Sequence, residues 1–210
     1  MDIGQVIETP SDLEEGVRFL CQVEPIFAQI YARTGPLPLR RKPEGFSQLV
    51  SAIVSQQVST ASAAAIWARV EAAGFAQADH VRAAPDSALQ AVGLSRPKVK
   101  YLRALAEAEI DFDGLRQLSD TEVMARLTAV SGIGPWTAQI YLLSSLGRAD
   151  VFPDADLALQ EAAKLALGLA ERPKPRDMAK IAERWAPMRA VAARLLWAYY
   201  RIEKNREGIR

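Results

Sequence analysis

Apolar residues three and four positions apart recur along the whole chain in alanine-rich segments, and alternating strand-like runs are almost absent. The pattern predicts an all-α protein. A first helix is expected from Leu13 to about Arg33, ended by Thr34-Gly35-Pro36 and followed by the basic, proline-rich linker Pro36 to Pro43. A helix from Glu44 to about Val54 then meets Ser55-Gln56-Gln57, and Val58 to Ala73 is helical until Gly74 stops it. Gly93 to Pro97 reads as a turn, with Pro97 suited to the first position of a helix through Leu105. Ser119 and Glu122 have the spacing of a capping box, with Leu118 and Val123 as its staple, so a helix begins there and runs toward Ala129. Pro135 opens the next helix, ending at Gly147. Pro153 opens another, ending near Gly168, and two final helices follow around Trp185 and Trp197.

Composition narrows the choice of partner. Half of the 210 residues are apolar, enough for one large domain or two small lobes. Lys and Arg number 26 against 25 Asp and Glu, so no global positive field announces a polyanion, and any nucleic-acid site must be local. The single cysteine, Cys21, excludes an internal disulfide and a cysteine-ligated iron–sulfur cluster; it is expected on a core face, and a reducing, cytoplasmic setting fits best. No run is long and apolar enough for a membrane span, and the first residues lack the pattern of a signal peptide. No histidine and carboxylate cluster has ligand spacing, so no hydrolytic metal is implied.

Two segments carry candidate chemistry. Between the helices around Ala129 and Pro135, the stretch Val130-Ser131-Gly132-Ile133-Gly134 has room only for a tight hairpin. It reads either as an ordinary joint or as a phosphate seat, in which the amides of Gly132, Gly134, Trp136 and Thr137 stay bare at the positive end of a helix. About two dozen residues later, Pro153-Asp154-Ala155-Asp156 places two carboxylates at a helix start. Both could simply cap and decorate that helix. Alternatively, one could face positive charge developing on a sugar during cleavage of an N-glycosidic bond. At about 4 Å and an effective dielectric near 20, such an attraction amounts to roughly 4 kcal/mol, or about three powers of ten in rate.

Taken in order, these residues resemble the helix-hairpin-helix (HhH-GPD) DNA glycosylase superfamily, and within it the 3-methyladenine DNA glycosylase II, or AlkA-type, branch. Ile53 to Thr60, Gly93 to Leu102 and Ala182 to Trp197 add to the match, which spans roughly residues 10 to 202. The resemblance implies a two-lobed helical bundle, with residues 44–148 in one lobe and residues 1–43 plus 149–210 in the other, and an active cleft between them. It implies that Asp156 is the catalytic aspartate, with Asp154 a neighbour or helix cap, and that Trp136 and Tyr141 line the base pocket. Ile140 occupies a position where some relatives carry a tyrosine. Gln57, with Gln56 beside it, corresponds to the wedge that fills the gap left by a flipped nucleotide; the pair could instead cap the helix from Val58. Gly132, Gly134 and Thr137 would hold the DNA backbone, and the carbonyls of Thr128, Val130 and Ile133 would hold a Na+ or K+ ion, no other cofactor being required. Arg96, Lys98, Lys100 and Arg103 either touch phosphates or form a solvated face. Trp185, Pro187, Arg189 and Trp197 read as packing residues, with Trp185 or Arg189 as candidates to border the pocket.

The lyase branch carries a lysine where this chain has Trp136, so the resemblance implies a monofunctional enzyme. It would act as a monomer on duplex DNA containing alkylated bases, in the cytoplasm and, in a bacterium, at the nucleoid. Three other readings stay open: a noncatalytic DNA-binding module, a glycosylase with lyase activity that uses a different amine such as Lys98 or Lys164, and a scaffold protein with no affinity for duplex DNA.

Overall fold

The computed structural model describes residues 3–204. It is helical throughout, and among the described residues the only extended pairing is an isolated antiparallel bridge between Val6 and Arg148. The described residues divide into two compact units, Lys42–Tyr141 and residues 3–41 with 142–204. Residues 142–148, expected with the hairpin lobe, belong instead to the second unit.

In the unit Lys42–Tyr141 the helices are α3 (Phe46–Ser55), α4 (Thr60–Ala72), α5 (Ala78–Ala83), α6 (Asp86–Ala91), α7 (Arg96–Glu107), α8 (Asp120–Thr128) and α9 (Pro135–Tyr141). Helix α7 packs against α3, α5 and α6, and α9 packs against both α3 and α8. Leu49, Val50, Ile53, Val70, Leu102 and Leu127 are fully buried at its centre. The start of α8 follows the expected capping box. Ser119 Oγ accepts from the Glu122 amide at 3.3 Å, and the Glu122 carboxylate accepts from the Ser119 amide at 2.9 Å. The Ser119 hydroxyl, donating to the same carboxylate at 2.6 Å, and the Ser119 amide together hold the Glu122 carboxyl below its ordinary range.

The other unit holds α1 (Pro10–Val23), α2 (Ile26–Thr34), α10 (Leu157–Leu167), α11 (Pro175–Ala182) and α12 (Arg189–Lys204). Helix α12 packs against α1, α2 and α10, around a core that includes Leu20, Phe27, Ile30, Leu159, Trp185 and Leu195. The single helix expected from Leu13 to Arg33 is two helices. Pro25 ends the first because it supplies no amide to continue the ladder. A second capping box, Thr9 with Asp12, starts α1 at Pro10, three residues earlier than the expected Leu13. Two further boundaries move. The helix expected through Gly147 stops at Tyr141 and continues as a buried π-helical turn, Leu142–Leu146. The helix expected at Pro153 begins only at Leu157. Cys21, expected in the core, is only half-buried, and partial burial raises its thiol pKa.

Candidate functional site

The hairpin forms where α8 runs out. The Val130 amide donates to Leu127 O at 3.2 Å and the Ile133 amide to Val130 O at 3.0 Å, after which Pro135 starts α9. Gly132 sits at φ +94°, and a Cβ there would lie 2.3 Å from Cγ of Tyr101, so only glycine fits. Gly134 is different: nothing lies within 4 Å of where its Cβ would be. Among the described residues the amides of Gly132, Gly134 and Thr137 make no hydrogen bond, which leaves donors at the mouth of the turn. The Thr137 side chain is buried beneath them, while Trp136 is 36% exposed. Bare amides at a helix start, reached over a glycine with open space above it, can accept a phosphate oxygen.

The two glutamines part company. Gln56 ends α3 and sends its side-chain amide to the hairpin, Nε2 donating to Gly132 O at 2.9 Å. Gln56, expected beside Gln57 in the wedge, therefore faces inward. Gln57 is exposed and holds a left-handed backbone, φ +56°, a conformation that costs a non-glycine residue about 1 kcal/mol or more and survives only where its surroundings impose it. Neither residue caps the following helix, because Ser59 does so through the Ser62 amide. Val58, not singled out in the sequence, is 38% exposed directly after Gln57, and its only sequence signal was being apolar in a polar loop.

In the second unit, a turn closed by the Asp156 amide on Pro153 O at 2.9 Å delivers Asp156 to the N-cap of α10. Its Oδ1 accepts from the amides of Ala158 (2.9 Å) and Leu159 (3.0 Å), and the residue is only 7% exposed. The cap is thus Asp156 itself and not Asp154, whose carbonyl instead accepts from Gln160 Nε2 at 2.8 Å. Leu157, the next residue, is 62% exposed despite being apolar. A nearly buried carboxylate oriented by two amides is a fixed negative charge, suited to steadying a cation that forms beside it.

Residues 50–188 match the family described as HhH-GPD superfamily base excision DNA repair protein. The chain belongs to this superfamily. It is 32% identical over 165 residues to DNA-3-methyladenine glycosylase 1 of Schizosaccharomyces pombe, covering 74% of this chain and 72% of that one. Its fold is similar to the crystal structure of a DNA-3-methyladenine glycosidase from Bacillus halodurans (TM-score 0.82, 32% identity, 97% of this chain and 94% of that one). It is also similar to an S. pombe 3-methyladenine DNA glycosylase in complex with abasic DNA (TM-score 0.76, 28% identity, 93% and 100%).

Several other side chains of this HhH-GPD chain have structural duties. Tyr141 is 2% exposed and offers a ligand no open face. Its hydroxyl accepts from the Gly45 amide at 2.8 Å, and burial pushes its pKa up to about 12. Lys98 is buried, with Nζ donating to Val54 O at 2.7 Å, and desolvation lowers its pKa. Arg103 binds the Asp86 carboxylate and the carbonyls of Val81, Arg82 and Ala84, which ties α7 to the segment joining α5 and α6. Of the four basic residues expected on phosphate, Arg96 and Lys100 alone remain exposed without a protein partner among the described residues.

Trp185 is fully buried between Phe27 (5.3 Å) and Phe152 (5.5 Å), and Arg189 makes a two-pronged ion pair with Asp150 at 2.6 and 2.9 Å. Trp197 is 8% exposed. Arg194, overlooked in the sequence because it interrupts an apolar helix face, is buried with Nη2 donating to Leu143 O at 3.2 Å. Burial, reinforced by the charges of Arg41 and Arg40, lowers its pKa to about 10. Among the described residues no group of three or more His, Cys, Asp or Glu side chains could hold a metal ion, and no helix is long and apolar enough to cross a membrane.

Proposed function

We propose that this chain is a monofunctional DNA glycosylase that flips alkylated purines such as 3-methyladenine out of duplex DNA and cleaves their N-glycosidic bond, as the first step of base excision repair. The observation that carries the reading is the Asp156 carboxylate, almost buried and aligned by two helix amides, in a chain whose relatives are named DNA-3-methyladenine glycosylases. As the base departs with the bonding electrons, the sugar gains oxocarbenium character and Asp156 stabilises that charge; water then completes the hydrolysis. Loss of a base that already carries positive charge needs little further activation. The exposed indole of Trp136 favours such a base by cation–π attraction of about 0.5 to 2 kcal/mol.

The remaining assignments follow the same logic. The amides around Gly132, Gly134 and Thr137 take a backbone phosphate. Neutral carbonyls of Thr128, Val130 and Ile133 suit a hard monovalent cation beside it; those of Thr128 and Ile133 accept no hydrogen bond among the described residues. Gln57 enters the space left by the flipped nucleotide, with Val58 adding apolar contact. Trp136 stands where a lyase needs an amine, so no Schiff base forms there. The enzyme acts as a monomer in the reducing compartment that contains DNA.

Asparagine retains the N-cap acceptor, so Asp156→Asn keeps the helix start and removes only the charge. Mass spectrometry of bases released from alkylated duplex DNA is expected to show release slowed by about three powers of ten, with binding to an abasic-site analogue retained. Release at the wild-type rate would remove Asp156 from the chemistry and favour a module that only grips DNA. Borohydride treatment during turnover is expected to trap no covalent protein–DNA adduct, and a trapped adduct would make the protein a lyase as well.

A further inference from the structure

Helix α3 is fastened at its start to α9 of the hairpin and at its end to α7, which itself packs on the hairpin glycine. At its start, the Gly45 amide donates to the hydroxyl of Tyr141, the last residue of α9. At its end, Lys98 on α7 reaches Val54 O, one of the carbonyls a helix terminus leaves unpaired. One turn further along α7, the Tyr101 ring fills the place of a side chain at Gly132. Gln56 closes the loop, its Nε2 bonded to Gly132 O at 2.9 Å. Directly after this tether the chain enters the strained backbone of Gln57, whose side chain is exposed.

A strained residue persists only where its neighbours over-determine it. Here the neighbours are the Lys98 clamp before the loop and the Gln56 tether within it. Burial of the Lys98 ammonium makes the clamp costly to break without leaving a charge unsatisfied.

We infer that Gln56 is a positioning residue, not part of the wedge: its hydrogen bond to Gly132 O locks the loop that projects Gln57 to the hairpin that grips phosphate, so that gripping the backbone and filling the vacated stack occur as one rigid movement. This rests on the glycosylase reading above. It assigns Gln56 to the step that extrudes a paired base, and not to bond cleavage.

Two substitutions test it. Gln56→Met keeps length and loses the donor; Gln56→Lys restores a donor of similar reach. Single-turnover excision of one alkylated base is measured from a duplex and from the same strand unpaired, where no stacked partner has to be replaced. The duplex-to-single-strand rate ratio is expected to fall about three- to tenfold in Gln56→Met and to recover in Gln56→Lys. Both rates are taken at saturating protein, so that the added charge of lysine does not enter the ratio through affinity. Amide hydrogen exchange of the protein without DNA is expected to quicken in Gln56→Met at residues 54–58 and 130–134. An unchanged ratio, an equal loss on both substrates, or no recovery with lysine overturns the inference. If the wild-type protein releases no base from either strand, the glycosylase reading falls, and unchanged exchange at those residues would then sink the tether on its own.

Discussion

At the scale of single residues, two glycines that look equivalent in the sequence have unlike surroundings. Gly132 combines φ +94° with an aromatic ring 2.3 Å from any added Cβ, whereas Gly134 opens onto empty space. Gly132→Ala is therefore expected to lose about 1 to 3 kcal/mol of stability in chemical denaturation. Gly134→Ala should unfold at the wild-type denaturant concentration yet bind abasic duplex about tenfold more weakly, because its methyl group occupies the approach to the bare amides. Equal loss of stability in both variants would mean that Gly134 also serves packing. Asp156 has a comparable double character. Sequence spacing led to the pair Asp154 and Asp156, but only the structure shows that the residue proposed for chemistry is also the cap, its orientation supplied by the helix it starts.

At the scale of elements, what was legible followed local chemistry. The Ser119–Glu122 box starts α8 where its spacing says, and Gly168 ends α10 as expected. Pro25 divides the first helix by a local signal that outweighs the apolar periodicity running through it, whereas the buried π-turn after Tyr141 and the late start of α10 are not encoded by local pattern. Tyr141 shows the same limit. Expected to line the base pocket, it is instead buried as the anchor for the start of α3. Its pKa is about 12 in the folded protein against 10.0 for the free side chain, so the unfolded chain ionises first as pH rises. The stability Tyr141 contributes is fully present below pH 10.0 and is lost as pH rises toward about 12. Ultraviolet titration should find one of the five tyrosines ionising last, and Tyr141→Phe should remove that late step. The same variant leaves the Gly45 amide without its partner and is expected to cost about 1 to 3 kcal/mol at neutral pH.

At the scale of the whole molecule, a charge balance of +1 gives no net positive field, and Lys98 and Arg103 are held in internal bonds. The proposed phosphate seat of backbone amides predicts a slope of log affinity against log salt between about −2 and −4 in anisotropy titrations on abasic duplex. A slope near about −8 would indicate a broad basic surface instead. The sequence by itself determined the all-α class, the position of the hairpin, the acidic return and the family, because helical periodicity, capping residues and glycine turns act over a few residues and are written in order. Tertiary structure alone decided which glutamine turns inward, that Tyr141 and Lys98 anchor α3, that Arg194 is buried, and that Gly132 lies against a ring. Each of these depends on what a side chain meets from tens of residues away, and burial and hydrogen-bond partnership exist only once those distant segments have packed.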